Sequence, residues 1–309
     1  MRIAVFGAGG VGGYFGGRLA QAGADVTFIA RGAHLAALRE RGLAVASIKG
    51  DFRLPQLRAT DDPASVGPVD AVLLAVKAWQ VAGACEAMRP MIGPDTIVVP
   101  LENGVEAPDE IARILGAAHA GGGLCRILAY LTAPGEIRHA AIQPSLAFGE
   151  LDRRMSPRVE ALRQAFAACH GVTVEVPPDI RIAMWSKFLF IAPVSGIGAV
   201  TRVPIGVFRQ VPETRDLLVA AFEEIVQLAA ALGVRLPGDA VQSTLAFTDA
   251  IPLDGTASMQ RDIMDGRPSE LEAQLGAVVR LGERYGVAVP VHRFLYAALL
   301  PLERRARGG

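Results

Sequence analysis

The sequence predicts an α/β protein in two parts: a doubly wound parallel sheet followed by an all-helical domain. Short apolar runs alternate with helical patterns as far as about residue 150, which is typical of successive β-α-β units. A glycine-rich turn follows the first of these runs directly. Beyond the proline pair at 177–178, apolar residues recur only with helical spacing, punctuated by glycine or proline. Because 309 residues exceed one typical domain, we place a boundary there, between residues 1–178 and residues 179–309.

The composition excludes several classes of function. Basic and acidic residues both number 31, so no net field favours nucleic acid or a membrane surface as a partner. Cys85, Cys125 and Cys169 are far apart and form no C-x-x-C pair, which favours reduced thiols over disulfides or a metal site. The first apolar run passes directly into the glycine-rich turn, and the longest apolar stretch, residues 188–200, is too short to span a bilayer. We therefore expect a soluble cytoplasmic protein.

The first stretch of the chain has the pattern of a dinucleotide-binding turn. A short, mostly apolar run over residues 2–6 predicts a buried strand, and a helical pattern continues through Leu19 and Ala20. Between them, Gly7-Ala8-Gly9-Gly10-Val11-Gly12 fits G-x-G-x-x-G. The first glycine permits a tight turn, the second lets the backbone approach a pyrophosphate, and the third lets the helix pack close to the strand. A purely structural glycine turn is the alternative, but the strand before it and the helix after it favour dinucleotide binding.

The end of the second predicted strand indicates which dinucleotide is bound. Residues 25–30 predict that strand, and Arg31-Gly32 follows it without an acidic residue. A carboxylate at this place would accept hydrogen bonds from an adenosine ribose, whereas an arginine accommodates a 2′-phosphate. We therefore predict NADP(H) as the cofactor, with a surface arginine of no special role as the alternative.

The spacing of apolar residues and the positions of glycine and proline predict the remaining elements. The short alternating runs over residues 43–59 predict a hairpin or small extra strands. Further strands are predicted at 70–76, 96–101, 121–127, 145–148 and 172–176, and helices at 33–41, 156–169, 180–197, 213–232, 238–250, 269–285 and 291–305.

Lysine is scarce in this chain, so each lysine is a candidate for a specific chemical role. Lysines occur only at positions 49, 77 and 187, and all other basic residues apart from histidine are arginine. A compact ammonium that can transfer a proton differs chemically from a planar guanidinium. Lys77 directly follows the predicted strand at 70–76, at the strand end where ligands of such sheets bind.

These features together resemble the ketopantoate reductase (2-dehydropantoate 2-reductase) family. The resemblance covers essentially the whole chain and rests on motifs in the same order: the glycine loop, Lys77-Ala78-Trp79-Gln80, Asn103-Gly104, Trp185-Ser186-Lys187, Ser258-Met259 with Asp262, and Glu270. It implies a Rossmann-type domain joined to an all-helical domain. It also implies reduction of a 2-keto acid by NADPH in the cleft between the two domains.

The resemblance implies a role for each matching residue. Lys187 matches the lysine that donates a proton to the substrate keto oxygen, where an ammonium also stabilises the developing alkoxide charge. Glu270 matches an acid near the reacting centre that tunes this lysine or contacts cofactor and substrate. A helix-dipole role for Glu270 is the alternative, although Ser269 and Glu272 already fit an S-x-x-E capping box without it.

The other matches concern binding. Asn103 corresponds to an asparagine that contacts both cofactor and substrate, and Lys77 to a lysine on the nicotinamide side. Ile127 falls where a backbone amide touches the cofactor, and Ser258 where a serine holds the substrate carboxylate. For Lys77 or Asn103 alone, an ordinary turn residue at a strand end is the alternative.

Three positions depart from the family pattern. Lys187, Ile191 and Ser195 are spaced i, i+4 and i+8, which puts them on one face of a helix. In the enzymes matched to ketopantoate, asparagines occupy positions 191, 195 and 205, where this chain has Ile191, Ser195 and Ile205. A substrate hydroxyl facing isoleucine loses a partner, at a cost of about 1–3 kcal/mol. Gly196 and Gly198 also predict an irregular helix here.

The sequence therefore predicts an NADPH-dependent reductase of a 2-keto acid, with 2-dehydropantoate as the first candidate and pantothenate and coenzyme A biosynthesis as its setting. A more apolar keto acid, an opine-type dehydrogenation and a non-catalytic NADP(H) sensor are the alternatives. We expect a homodimer. One apolar stripe of the helical part would supply either a dimer face or part of the core: Leu217, Leu218, Phe222, Ile225 and Leu228.

Overall fold

The computed structural model describes residues 1–309 and divides them into two compact units. The first unit contains Met1–Glu102 and Ala107–Ile180, and the second contains Asn103–Glu106 and Arg181–Gly309. The first is α/β and the second is helical, so the predicted fold class is confirmed. Residues 103–106 belong to the second unit although they lie far upstream in the sequence, which a single boundary at residue 178 does not anticipate.

The elements of the first unit are, in chain order, β1 (Arg2–Phe6), α1 (Gly10–Gln21), β2 (Asp25–Ile29), α2 (Gly32–Arg41), β3 (Leu43–Ser47), β4 (Phe52–Leu54), β5 (Arg58–Thr60), β6 (Val69–Leu74), α3 (Val81–Met88), β7 (Ile92–Pro100), α4 (Ala107–Leu115), β8 (Gly121–Ala133), β9 (Glu136–Glu150), α5 (Pro157–Ala167) and β10 (Thr173–Glu175).

The first sheet is wholly parallel and has the strand order β5-β2-β1-β6-β7. Alternate residues of β1 belong to different apolar clusters: Ile3 and Val5 pack in one, Ala4 and Phe6 in the other. Both faces of the sheet are therefore covered, as a doubly wound fold requires. The chain leaves β1 towards β2 on one side and returns to β6 on the other, so the glycine loop after β1 lies at the topological switch point where such folds bind ligands.

The second sheet is where the structure differs most from the strand predictions in this unit. It has the order β10-β9-β3-β4, with β8 paired antiparallel to β9. The predicted strands at 121–127 and 145–148 are parts of this much longer β8–β9 hairpin. The hairpin predicted between residues 43 and 59 is confirmed, because β3 and β4 pair antiparallel.

The second unit contains only helices. They are α6 (Ile180–Thr201, whose first residue is in the first unit), α7 (Ile205–Phe208), α8 (Pro212–Ala231), α9 (Ala240–Asp249), α10 (Ser258–Met264), a π-helix (Glu272–Gly276), α11 (Ala277–Tyr285) and α12 (Pro290–Ala306). The short helices α7 and α10 are absent from the sequence-based predictions.

Helix α6 is the central apolar helix of this unit. Its 22 residues are long and apolar enough, by length and composition, to cross a membrane, but 67% of its most apolar window is buried within the protein. It also carries many of the unit's fully buried side chains, among them Phe188, Leu189 and Val194. This burial is that of a core helix.

Two of the helical predictions are wrong. The glycines at 196 and 198 do not make α6 irregular: a Cβ on Gly196 would lie 3.0 Å from the Leu275 side chain, and one on Gly198 would lie 2.6 Å from Gln260 Oε1. They permit close packing instead.

The predicted helix at 269–285 begins as the π-helix at Glu272, and Ser269 and Glu272 form no capping box, since Glu272 pairs with Arg280 and Tyr296. The apolar stripe on α8, for which the sequence left a dimer face or core open, packs in the core: Leu218, Phe222, Ile225 and Leu228 are fully buried, and only Leu217 is exposed.

Candidate active site

The glycine loop of the first unit has the geometry that a pyrophosphate requires. Gly7 has a φ of +99°, and a Cβ there would lie 2.6 Å from the Ala75 carbonyl oxygen. A Cβ on Gly9 would have no atom within 4 Å, whereas one on Gly12 would lie 2.1 Å from the Gly7 carbonyl oxygen. Helix α1 begins at Gly10 with no side-chain cap and no acid in its first turn. Its first N–H groups and its dipole are therefore available to an anion.

Two side chains that sequence reasoning missed hold this region in place. His34 on α2 hydrogen-bonds through Nε2 to the Ala8 carbonyl oxygen at 2.8 Å and accepts from the Gly135 amide through Nδ1 at 3.0 Å. Burial lowers the pKa of His34, and the hydrogen bond to Ala8 offsets this only in part. The ring is therefore neutral, with its proton on Nε2, and it fastens the glycine loop to α2.

Glu102 has a comparable role at the end of β7. It is 9% exposed, and its Oε1 accepts from the Val76 amide at 3.1 Å. This contact joins the carboxyl ends of β6 and β7 next to Lys77. A polar residue at a strand end was visible in the sequence, but its partner was not.

Arg31 is the N-terminal cap residue of α2, at the end of β2. Its side chain is exposed, and the first turn of α2 contains no acid. The nearest acidic position in the strand is Asp25, at the opposite end of β2, where it pairs with Arg58. Arg31 thus combines a guanidinium with a helix N-terminus, and both attract phosphate.

Lys77 and Ile127 occupy irregular backbone in the same unit. Lys77 caps a short 3₁₀ turn, Ala78–Gln80; it is exposed, with its ammonium 5.8 Å from the Trp79 ring centroid. Ile127 falls at a register shift in β8, between Arg126 and Leu128. At such a bulge a backbone amide leaves the strand ladder, which fits a main-chain contact to a ligand.

In the second unit, α6 places Lys187 beside the core. Trp185 and Phe188 are buried and stack edge-to-face, with ring centroids 5.7 Å apart. Lys187 and Ile191, one turn apart, are both half-buried on the flank of the helix. Ser195, one turn further, is 0% exposed, and its hydroxyl has no hydrogen-bond partner. Over two turns, this face of α6 therefore carries an ammonium at Lys187, an apolar side chain at Ile191 and a buried hydroxyl at Ser195.

Asn103 and Glu270 meet although 167 residues separate them. Asn103 Nδ2 donates to Glu270 Oε2 at 3.1 Å, and Glu270 is only 6% exposed. The turn at Gly104, with a φ of +128°, approaches the π-helix so closely that a Cβ would lie 3.0 Å from the Ala273 carbonyl oxygen. Arg280 adds a second tie, because it pairs with Glu106 at 2.7 Å. This segment is therefore anchored to the helical unit by side chains and by backbone contact.

Ser258 is the first residue of α10 and is half-buried. The turn before it is held by Gln260, which is 0% exposed: its Oε1 accepts from the Ala257 amide at 3.3 Å and its Nε2 donates to the Val203 carbonyl oxygen at 2.9 Å. Ile205 is buried beside the same turn, where its amide donates to the Gly255 carbonyl oxygen at 2.9 Å. Gln260 is a further side chain that the sequence-based reasoning did not single out.

Comparison with known proteins decides the family. The model of the ketopantoate reductase PanE/ApbA family matches residues 3–153, and the model of its C-terminal part matches residues 179–303. The chain belongs to this family. A 2-dehydropantoate 2-reductase of Nostoc sp. is 30% identical over 100% of this chain and 97% of its own length. An uncharacterized oxidoreductase, YkpB of Bacillus subtilis, is 30% identical over 97% and 98%.

The fold agrees with solved members. The crystal structure of 2-dehydropantoate 2-reductase from Geobacter metallireducens GS-15 superposes with a TM-score of 0.89 at 31% identity, covering 97% of this chain and 99% of the other. The predicted resemblance is therefore confirmed. Family membership makes the chain an oxidoreductase of the keto-acid-reducing type that uses a nicotinamide dinucleotide.

Proposed function

We propose that this protein catalyses the NADPH-dependent reduction of a 2-keto acid to a 2-hydroxy acid, with 2-dehydropantoate as the first candidate substrate and pantoate as the product. That reaction belongs to pantothenate and coenzyme A biosynthesis, and we propose a cytoplasmic homodimer as the working form. The observation that carries the proposal is the Asn103–Glu270 hydrogen bond. It joins a strand-end residue to a nearly buried acid within the helical unit that also carries Lys187.

The glycine loop from Gly7 to Gly12 would hold the pyrophosphate, with Arg31 at the adenosine 2′-phosphate and Lys77, Asn103, Ile127 and Glu270 towards the nicotinamide. When bound, the dinucleotide supplies the hydride that reduces the keto carbon. The open space above Gly9 and the uncapped start of α1 support this assignment.

The remaining steps depend on the helical unit. Lys187 donates a proton to the keto oxygen as negative charge develops there, since a lysine ammonium is protonated at neutral pH. Glu270 orients that ammonium, and it is itself oriented by Asn103. Ser258, Ser195 and Asn103 hold the carboxylate and the other polar groups of the substrate, for which the unpartnered Ser195 hydroxyl is suited.

A second candidate, a more apolar 2-keto acid, is favoured by one observation. Ile191 and Ile205 offer no hydrogen-bond donor where the family pattern has asparagine, and Ile205 is 3% exposed. Comparing 2-dehydropantoate with 2-oxoisovalerate, which lacks only the hydroxymethyl group, separates the two candidates by kcat/KM. A preference for 2-oxoisovalerate would replace our first substrate. The protein could also bind NADPH and consume neither acid, and no other keto acid with or without an added amine. That result would instead favour a non-catalytic sensor.

The cofactor assignment is tested at Arg31. Arg31→Asp removes the partner of the 2′-phosphate and supplies a carboxylate for the ribose hydroxyl, so kcat/KM for NADPH should fall by about 10- to 150-fold, the equivalent of a charged hydrogen bond. The value for NADH should rise or stay constant. Arg53→Asp, at an exposed position on β4 of the same unit, is the control for a general change of charge. Equal use of NADH and NADPH by the unaltered protein would contradict the assignment.

A further inference from the structure

The carboxylate of Glu303 is almost completely buried, and it contacts the residue next to Glu270. Glu303 lies on α12 and is 2% exposed. The Ser269 amide donates to both of its oxygens at 3.1 Å, and the Ser269 hydroxyl donates to Oε2 at 2.5 Å. Arg307, the residue directly after α12, donates from Nε to Glu303 at 2.6 Å and from Nη2 to the Ser269 carbonyl oxygen at 3.0 Å. Every polar group of Ser269 therefore bonds to α12 or to the residue that caps its C-terminus.

The chain before Glu270 explains why such a clamp is needed. Helix α10 ends at Met264, and Gly266 follows with a φ of +67°. Arg267 and Pro268 are exposed and in no helix, and proline has no amide to donate. No helical turn directly precedes Glu270, so secondary structure on that side does not fix its position.

The chain after Glu270 is held as well. The Leu271 amide donates to the Ser269 hydroxyl at 3.2 Å, and the Gln274 amide donates to the Glu270 carbonyl oxygen at 3.0 Å. Glu270 is thus fixed between the clamped Ser269 and the start of the π-helix. Its side chain then reaches Asn103. Groups that hold a reactive side chain in place are expected to affect its chemistry without touching substrate.

We propose that Glu303 is a positioning residue for Glu270, acting through Ser269 and assisted by Arg307. The C-terminal helix α12 thereby sets the orientation of the acid that tunes proton transfer from Lys187. This inference rests on the proposed function for its catalytic consequence. Its structural consequence, the orientation of Glu270 against Asn103, is measurable without any turnover.

A matched control exists in the same unit. Glu224 is 6% exposed and accepts from the Val291 and His292 amides at 2.7 and 3.1 Å, so it clamps the beginning of α12 as Glu303 clamps Ser269. It bonds to no residue assigned to the site. Glu224→Gln therefore measures the general cost of neutralising a buried carboxylate in this unit.

The experiment compares Glu303→Gln, Glu224→Gln and Glu270→Gln, together with the double variant at 270 and 303. We expect Glu303→Gln to lower kcat by about 10- to 100-fold while the KM for NADPH changes less than about twofold. In the Glu270→Gln background the same change should have less than about a twofold effect, because residues that act through one another are not additive. Glu224→Gln should leave kcat within about twofold. Unchanged kcat in Glu303→Gln, full additivity with Glu270→Gln, or an equal loss in Glu224→Gln would overturn the proposal.

A second readout separates this inference from the proposed function. The side-chain amide resonances of Asn103, assigned with Asn103→Asp, should shift in Glu303→Gln as they do in Glu270→Gln and stay in place in Glu224→Gln. Unshifted resonances would overturn the clamp even in an active enzyme. An unaltered protein that reduces no keto acid would contradict only the proposed function. If Glu303→Gln does not fold, Ser269→Ala, which retains the Glu303–Arg307 pair, should show the same resonance shift and a smaller, equally non-additive loss; its absence would count against the proposal.

Discussion

The candidate site residues of the two units are of different kinds. In the first unit the groups suited to a dinucleotide are mainly backbone: the glycine loop, the uncapped start of α1 and the bulge at Ile127. In the second unit they are side chains, and the Asn103–Glu270 bond joins residues 167 positions apart. Sites made of backbone groups are determined by nearby residues, whereas sites made of side chains depend on which helices pack together.

The largest effect is expected from a side chain of the helical unit. Lys187→Ala removes the proposed proton donor, and loss of a general acid costs about 10²- to 10⁴-fold in rate. Because the glycine loop and Arg31, which we propose hold the phosphates, are in the other unit, the dissociation constant for NADPH, measured by its fluorescence, should change less than about threefold. Lys49→Ala is the control, since Lys49 is a lysine of the first unit outside the assigned site. A kcat in Lys187→Ala equal to that of the unaltered protein would remove Lys187 from the mechanism.

The glycine loop is tested by adding single methyl groups to its glycines. In Gly12→Ala the new Cβ meets the Gly7 carbonyl oxygen and the Val5 and Ala75 side chains, so we expect a loss of about 1–3 kcal/mol in the free energy of unfolding, together with weaker NADPH binding.

Gly9→Ala is the partner variant, because its Cβ would meet no atom within 4 Å and its φ of −69° suits any residue. It should unfold at the same urea concentration as the unaltered protein and still bind NADPH more weakly, because the methyl group occupies the space proposed for the pyrophosphate. Undiminished binding in Gly9→Ala would contradict that placement.

The smallest effect is expected at His34, a side chain that supports the glycine loop. Burial lowers the pKa of His34 below its unfolded value near 6.5. The unfolded chain therefore binds the proton first, and the stability that neutral His34 contributes is complete above pH 6.5 and is lost as the pH falls towards the lower, folded value.

Protonation also places a second N–H against the Gly135 amide. Urea unfolding at pH 7.5 and 5.5 should show a larger acid-induced loss for the unaltered protein than for His34→Gln, which does not titrate. His34→Gln should weaken NADPH binding by no more than a few-fold, the equivalent of about 1 kcal/mol for a neutral hydrogen bond. Equal acid sensitivity of the two proteins would show that His34 is not the titrating group.

The fold was largely predictable, and the exceptions have identifiable reasons. The β1–loop–α1 unit and most of the helices follow from period and punctuation, as does the apolar core of α8. The sequence predicts only short parts of the β8–β9 hairpin, because the outer half of the hairpin is half-exposed and lacks a continuous apolar run. The helix after Ser269 begins with a π-turn that no local pattern indicates.

The candidate site was predictable in its residue types and not in its contacts. Position in a motif identified Lys187, Asn103, Ser258 and Glu270 as candidates, and their roles remain predictions. The sequence does not indicate the partner of Asn103, and it predicts a cap between Ser269 and Glu272, whereas Ser269 bonds to Glu303. Many acids in the chain fit a local capping or pairing pattern, and the sequence does not rank a distant partner above a nearby one.

The sequence alone determined the order of strands and helices, the glycine turn after β1 and the absence of an acid after β2. These depend on the conformational freedom and polarity of residues within a few positions of one another. Packing between distant parts of the chain brings residues 103–106 into the helical unit, the Asn103 amide to Glu270, and Glu303 to Ser269. The physical reason is burial: a carboxylate removed from water must bond to whichever donors surround it, and packing brings those donors from distant parts of the chain.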